Sequence, residues 1–203
     1  MKTTLERFVL ALMIAPLAPL AGFLGFWWGA YANLPEAWIP FSALAGLTIG
    51  ILADIFLLKK LLDRRLSLLF WAVVFLFYTT GTFGFFMGIP VFNAALAIPA
   101  GFVIGSRLAA ENVDQVRVRK AAQHTAWFTT GVLVLVCAAS AFFALASSST
   151  ASDLRGMLGL NFMVTQGMII GLILVGGAGL LAICWGLSVT SVRLTYQFLR
   201  RAI

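Results

Sequence analysis

The most constraining feature of this sequence is a series of long apolar runs that continues from one end of the chain to the other. A helix needs about 20 apolar residues to cross the hydrocarbon core of a bilayer. Of the 203 residues, 62% are hydrophobic and only 10% are charged, and the connectors are too short for a separate soluble domain. The sequence therefore predicts one all-α membrane domain over residues 1–203, a polytopic six-helix bundle with spans at about residues 8–31, 38–58, 67–87, 91–108, 124–146 and 160–190.

The basic residues divide unequally between the two faces of such a bundle. If the six spans alternate in direction, only Arg155 of the 14 basic residues falls on one face, and all the others fall on the opposite face. Basic connectors are retained on the cytoplasmic side of a membrane, so the pattern predicts that both termini are cytoplasmic (N-in/C-in). The residues expected on the cytoplasmic face are Lys2, Arg7, Lys59, Lys60, Arg64, Arg65, Arg107, Arg117, Arg119, Lys120, Arg193, Arg200 and Arg201.

The second span carries one carboxylate, which lies on a stripe of small residues. Gly46, Gly50 and Asp54 are spaced four residues apart, and this spacing puts them on one face of a helix. Small residues let a second helix approach closely, and an ionisable group at membrane depth is costly enough to suggest a function. Asp54 is close to the basic end of the span, so we expect it in the inner half of the membrane.

A similar stripe occurs in the fourth span, where Gly101 and Gly105 share one face. We expect the second and fourth spans to pack together through these stripes, which would bring Arg107 near Asp54. Asp54 then has several interpretations. It is a coupling carboxylate for protons or cations, a charged determinant at a docking surface, or half of a buried ion pair with Arg107 or Lys59 that fixes helix packing.

A group of polar and aromatic residues falls in the outer third of several spans. Such a group is typical of a solute pocket with aromatic walls and convergent hydrogen-bonding groups, but Trp and Tyr also form belts at the headgroup level of a membrane. Both interpretations are open. Asn161 and Thr165, one turn apart in the predicted sixth span, are expected to point together. The candidate substrate-binding residues are Trp28, Tyr31, Tyr78, Thr79, Thr82, Asn93, Asn161, Thr165 and Gln166.

Prolines and glycines predict irregularities within the spans. Pro16 and Pro19 should bend the first span, because each removes a backbone donor and clashes with the preceding turn. The many glycines of the sixth span predict close packing or a break in the helix. The polar connector from Ser147 to Leu158 is expected to be flexible or to cap the bundle.

The sequence contains no recognisable catalytic or metal-binding arrangement. Cys137 and Cys184 both lie within apolar spans, where cysteine behaves as a small hydrophobe. The single histidine, His124, lies at the start of the fifth span, and a hydrolase would need a nucleophile and a base within reach of each other. We therefore expect no enzymatic activity, no cofactor, no metal site and no nucleic-acid partner.

The segment from Pro40 to Asp54 combines a proline, several small residues and a Gly-xxx-Gly-xxx-Asp pattern. It resembles a helix found in many substrate-binding S components of energy-coupling-factor (ECF) transporters, which also have about this length, six spans and cytoplasmic termini. The local resemblance extends over this one helix. It implies a vitamin or trace-metal ligand held from the outer side, and a smooth helix surface that faces a coupling transmembrane subunit and its ATPases.

These features lead to three functional hypotheses. The leading one is a membrane transport protein or transporter subunit that captures a small vitamin-like or metal solute from the outer side. The first alternative is a non-transporting scaffold or assembly protein that packs through its Gly/Ala stripes. The second is a proton- or cation-coupled carrier or channel that uses Asp54. The expected partners are the lipid bilayer, a small solute, and either a coupling subunit with ATPases or further copies in a homo-oligomer. The expected location is the cytoplasmic (plasma) membrane of a prokaryote.

Overall fold

The chain is all-α over the residues that the computed structural model describes, which are 4–64, 66–86, 89–159 and 161–202, without the side chains of residues 5, 157, 158 and 202. Two predicted cytoplasmic bases, Lys2 and Arg65, and two predicted span ends, Met87 and Leu160, lie outside the described residues. The α-helices are α1 Thr4–Ile14, α2 Leu17–Asn33, α3 Ile39–Asp63, α4 Leu68–Phe85, α5 Val91–Ala95, α6 Ala97–Ala110, α7 Gln115–Ala146, α8 Thr150–Leu158 and α9 Gln166–Ala202, and a short 3-10 helix covers Glu36–Trp38.

Six helical segments of the described chain are long and apolar enough to cross a membrane, which confirms the predicted all-α class and the number of membrane-length helices, while the N-in/C-in orientation stays a prediction. Their surfaces carry many exposed large apolar side chains, as expected where lipid replaces water around a helix. The chain is therefore a multi-pass membrane protein. The six segments are Glu6–Asn33, Glu36–Asp63, Leu68–Phe85, Val91–Ala110, Gln115–Ala146 and Gln166–Arg201.

Two of the spans are interrupted near prolines. The first span divides into α1 and α2 around Ala15 and Pro16, at the position where the proline ring prevents a regular helix. The fourth span divides into α5 and α6 at Leu96. Pro99 lies within the first turn of α6, where a missing backbone N–H costs least. The interruption of the first span at Pro16 is consistent with the irregularity predicted from its prolines.

The described chain forms two compact units, Met1–Val74 and Phe75–Ile203, with the division inside α4. In the first unit α2 and α3 pack antiparallel through glycines. A Cβ atom added to Gly46 would lie 2.7 Å from Cβ of Phe26, and one added to Gly50 would lie 2.5 Å from Cα of Pro19. Gly22 faces Gly46 from the opposite helix. Only glycine allows the two backbones to approach this closely.

In the second unit α6 and α9 pack in parallel through the other glycine stripe. A Cβ atom added to Gly101 would lie 2.6 Å from Cβ of Ser191, and one added to Gly105 would lie 2.7 Å from Cβ of Thr195. The Ser191 hydroxyl also donates to the carbonyl of Ile98 across the same contact, at 2.7 Å. The fourth and sixth spans therefore run in the same direction.

The core of the second unit lies between α7 and α9, which are antiparallel. Near one end the Tyr196 hydroxyl donates to the carbonyl of Val113 at 2.6 Å. Further along, the hydroxyls of Thr129 and Ser188 are 2.6 Å apart and fully buried. Beyond them Leu133 packs in a buried apolar cluster with residues of α5, α6 and α9. Because α9 contacts both α6 and α7 along its length, it is the central helix of this unit.

The glycine contacts correct two expectations about packing. We expected the second and fourth spans to share their stripes, but the stripe of the second span is buried against the first span and that of the fourth against the sixth. The reason is that Gly22 on α2 and Ser191 and Thr195 on α9 supply complementary surfaces. The sixth span is also a continuous helix without a break. Its glycines at 171, 177, 179 and 186 have no neighbouring atom within 4 Å of an added Cβ.

Basic residues are segregated within the second unit. The parallel arrangement of α6 and α9, with α7 antiparallel to α9, brings the end of α6, the start of α7 and the end of α9 to the same end of the unit. Arg155, on α8 beyond the opposite end of α7, lies away from the other basic residues. The residues at the basic end are Arg107, Arg117, Arg119, Lys120, Arg193, Arg200 and Arg201.

Candidate functional site

Two of the predicted site residues, Trp28 and Tyr31, belong to the first unit. Their rings make an edge-to-face contact with centroids 5.9 Å apart, and both side chains are about two-thirds exposed. Aromatic side chains exposed at the end of a membrane helix are typical of an interfacial belt. For these two residues, that interpretation agrees best with the exposure of the rings.

A second group of predicted residues meets in the other unit, between α4 and α5. The Asn93 amide donates to the carbonyl of Thr79 at 2.7 Å, and both residues are almost fully buried. Tyr78 and Thr82 lie on the same helix as Thr79 and are half-buried. Oδ1 of Asn93 and Oγ1 of Thr79 have no hydrogen-bond partner among the described residues. A buried oxygen without a partner is costly, so this polar position is suited to an ordered water or a ligand group.

The predicted pairing of Asn161 and Thr165 on one helix face is wrong. The sixth span begins at Gln166, and Asn161 lies in an irregular segment before it. The Thr165 hydroxyl accepts a hydrogen bond from the backbone N–H of Met168 at 3.3 Å. Threonine thus satisfies one of the free donors at the start of α9, which is a preferred role of this residue type. Gln166 is exposed in the first turn of α9.

Asn161 instead lines a groove at the connection between the fifth and sixth spans. The groove has a volume of about 690 Å³, which is within the range of small-molecule sites. It lies between α8 and the irregular segment that leads into α9. Its wall combines one guanidinium, two hydroxyls and one amide with small and apolar side chains. The lining residues are Ser148, Ala151, Ser152, Arg155, Gly156, Gly159, Asn161, Met163 and Val164.

The start of α8 is held by a network of serines. Ser147 and Ser149 hydroxyls are 3.0 Å apart, and the Ser149 hydroxyl donates to Oδ2 of Asp153 at 2.8 Å. The Ser152 hydroxyl donates to the carbonyl of Ser149 at 2.6 Å. Short hydroxyl side chains readily make such local bonds to the backbone. The polar connector from Ser147 to Leu158 therefore contains helix α8.

The end of α8 is set by Gly159, which has a left-handed backbone with φ 61°. Its N–H is directed at the carbonyls of Arg155 and Gly156 and closes the last turn. Glycine adopts this conformation without the steric cost that other residues incur. The turn sends the chain back past α8, and Asn161 and Met163 thereby form the second wall of the groove.

Arg155 is the only charged residue among the described lining residues of the groove. Its Nη1 donates to Sδ of Met163 at 3.5 Å across the groove, and the side chain is exposed. Sequence reasoning identified Asn161 but missed Arg155, Ser148 and Ser152 as site residues. The signal for Arg155 was present in the sequence, because with alternating spans it is the single base on the face opposite the other thirteen.

Asp54 and Arg107 lie in different units, so their predicted ion pair stays a prediction. Asp54 is half-buried on α3, and no hydrogen bond or ion pair joins its side-chain carboxylate to another described residue of the first unit. Nη1 of Arg107 is buried and lacks a hydrogen-bond partner among the described residues of its own unit. An ion pair in the first unit joins Arg7 to Asp63 at 3.2 Å, with both side chains exposed.

The cysteines are close together in the core of the second unit. Cys184 is buried among the hydroxyls of Thr129, Thr130 and Ser188, and Cys137 packs against the apolar cluster that contains Cys184. Both thiols are free. Within the described ranges, no group of three or more His, Cys, Asp or Glu side chains is arranged to hold a metal ion.

No protein-family model matches the sequence, and searches of curated proteins and of solved structures found no significant match.

Proposed function

We propose that this multi-pass membrane protein is a transport protein, or a subunit of one, that captures a small solute from the outer side. The observation that carries the proposal is the groove between α8 and the segment before α9. It has the volume of a small-molecule site and the mixture of apolar wall and few polar groups that such sites use. Among the described lining residues, Arg155 and Asn161 have the longest side chains that can form hydrogen bonds with a solute.

We propose the location of the groove relative to the membrane from the charge pattern. Seven bases lie at one end of the second unit, and Arg155 stands apart from them on α8. Under the positive-inside bias, the end rich in bases is cytoplasmic. A groove at the connection between α7 and α9 would then open to the outside, where a captured solute arrives.

The experiment is a binding screen of the purified protein against vitamins and trace-metal ions, read as a thermal shift and verified by calorimetry. Capture at the groove is supported if a probe gives a saturable thermal shift and if Asn161→Ala weakens the affinity for that probe about tenfold or more. The matched control is Gln197→Ala, an exposed amide on α9 far from the groove, which should bind as wild type. Equal binding by both variants would contradict this site, and Tyr78→Phe and Asn93→Ala would then test the α4–α5 position.

The resemblance to ECF S components adds a proposal about energy coupling. If a separate subunit with ATPases drives transport, that subunit should be recovered with this protein from native membranes. Gly46 and Gly50 would not form its docking surface, because both are buried against α2 within the chain. A coupling subunit would need to contact another face. Recovery of an ATPase with the tagged protein supports this mode, and recovery of this chain alone from membranes active in uptake contradicts it.

A second candidate function is assembly of a membrane complex without transport. The observation in its favour is a stripe of exposed small residues on α9, formed by Ala178, Ala182 and Gly186. Space beside Gly186 is open within the chain, and such stripes let membrane helices associate closely. A homo-oligomer in nanodiscs that dissociates in Gly186→Leu, combined with no solute in the binding screen, would favour assembly over capture.

A further inference from the structure

We infer that the solute taken by the groove is an anion, such as a carboxylate-bearing organic molecule, and that Arg155 binds its charged group. This inference rests on the proposed function and specifies its substrate class. It narrows the hypothesis of a vitamin-like or metal solute to the organic anions and leaves out metal cations.

The first argument is the charge of the groove. Arg155 is cationic at every physiological pH, and the described lining residues include no carboxylate. The nearest acid along the chain, Asp153, is not part of the lining and accepts a hydrogen bond from Ser149. A metal cation in the groove would meet one positive charge and no anionic ligand, whereas an anion would gain a partner.

The second argument is the arrangement of donors and acceptors. A guanidinium presents a planar fork of N–H groups that matches the two oxygens of a carboxylate. Arg155 spans the groove, because its Nη1 reaches Met163 on the opposite wall. The Asn161 amide also lines the groove and can donate. The Ser152 hydroxyl already donates its proton to the carbonyl of Ser149. The hydroxyl oxygen of Ser152 can therefore accept a hydrogen bond from a neutral donor group of the solute.

The third argument is the apolar part of the wall. Ala151, Met163 and Val164 line the groove beside the polar groups. A small inorganic anion would leave this surface and most of the volume of about 690 Å³ unused. An organic anion with an apolar body would cover the apolar wall while its charged group meets Arg155, and the burial of that body adds affinity.

Solvent weakens the contribution of Arg155 to the affinity for an anion. Its side chain is exposed, and an exposed ion pair is weaker than a buried one and is screened by salt. We therefore expect loss of the guanidinium to weaken anion binding about tenfold rather than to abolish it, and we expect anion binding to weaken as the salt concentration rises.

The test uses pairs of probes that share a shape and differ in charge: nicotinate and nicotinamide, biotin and biotin amide, pantothenate and panthenol. Ni²⁺ and Co²⁺ are the cation probes. Binding to the purified full-length protein is measured by calorimetry at low and high salt, for wild type, Arg155→Gln and Arg155→Lys. The control is Arg193→Gln, which removes an exposed arginine at the basic end of the same unit.

The inference is supported if at least one anion binds saturably, about tenfold more tightly than its neutral partner, and if Arg155→Gln removes that preference while Arg193→Gln retains it. Partial recovery in Arg155→Lys would show that charge contributes in addition to the fork geometry. Equal binding of anion and neutral partner, or binding of Ni²⁺ or Co²⁺ alone, would overturn the assignment of an anion but leave solute capture in place. Absence of binding by every probe would overturn both.

Discussion

The hydroxyl oxygens of Thr129 and Ser188 lie 2.6 Å apart between two antiparallel membrane helices, with both side chains almost completely buried. Thr129 also contacts the carbonyls of Thr125 and Ala126 on its own helix. Hydroxyl pairs of this kind join helices in an environment where water is not available as a partner. The pair therefore couples α7 to α9 at the centre of the second unit.

The double variant Thr129→Val/Ser188→Ala tests this coupling. Each single substitution should destabilise the protein by about 1 kcal/mol, because it leaves one buried hydroxyl without its partner. The double variant should cost less than the sum of the two. Unfolding in mixed micelles measures the free energies, with Thr190→Ala, an exposed threonine on α9, as the control. Strict additivity would contradict a direct interaction.

The close approach of α6 and α9 predicts different outcomes for two glycines. Gly101→Leu should destabilise by about 2 kcal/mol or more, because the added atoms overlap Ser191 and force the helices apart. Gly179→Leu adds the same atoms where no neighbour lies within 4 Å, so it should be neutral or slightly stabilising. Melting temperatures of the purified variants give the comparison. Similar melting temperatures for the two variants would argue against the α6–α9 contact.

The turn that closes the groove predicts a contrast between Gly159 and Gly156. Gly159→Ala places a side chain in the left-handed region and should cost about 1 kcal/mol. Gly156→Ala lies within α8, where an added Cβ meets open space, and alanine favours a helix by about 0.5–1 kcal/mol over glycine. Hydrogen exchange across residues 150–159 should rise in the first variant and fall in the second. Unchanged exchange in Gly159→Ala would contradict the described turn.

The proposed orientation predicts the accessibility of two engineered cysteines. Ser148→Cys, at the groove, should react with a membrane-impermeant maleimide on intact cells. Gln197→Cys, at the basic end of α9, should react only after the cells are permeabilised. The wild-type protein serves as background, since Cys137 and Cys184 lie within spans. The reverse labelling pattern would place the groove inside and would remove capture from the outer side.

Asp54 separates solute capture from ion coupling. The groove is formed by residues between 148 and 164, and Asp54 is not among them. Asp54→Asn should therefore change solute affinity by less than about twofold, whereas a tenfold change in affinity corresponds to about 1.4 kcal/mol. Folding should also be retained, since the two side chains have similar size. If binding persists while pH-dependent uptake is lost, Asp54 acts as a coupling carboxylate. Loss of binding itself would instead connect Asp54 to the site.

Several properties of the protein follow from local features of the sequence. The number and class of the spans could be predicted because an apolar run of sufficient length must form a helix when its backbone has no water to bond. The interruption of the first span near Pro16 could be predicted because a proline disturbs its own helix wherever that helix packs. The separation of Arg155 from the other bases in the second unit follows from the alternation of spans.

The packing partners and the groove were decided by tertiary structure. A glycine stripe indicates that some helix can approach, but Gly46 and Gly101 do not reveal which helix carries the complementary surface. Asn161 and Arg155 share one groove because Gly159 reverses the chain and α9 begins later than the apolar pattern suggested. Hydropathy and periodicity report on neighbours along the chain, whereas close contact depends on how the surfaces of distant segments fit together.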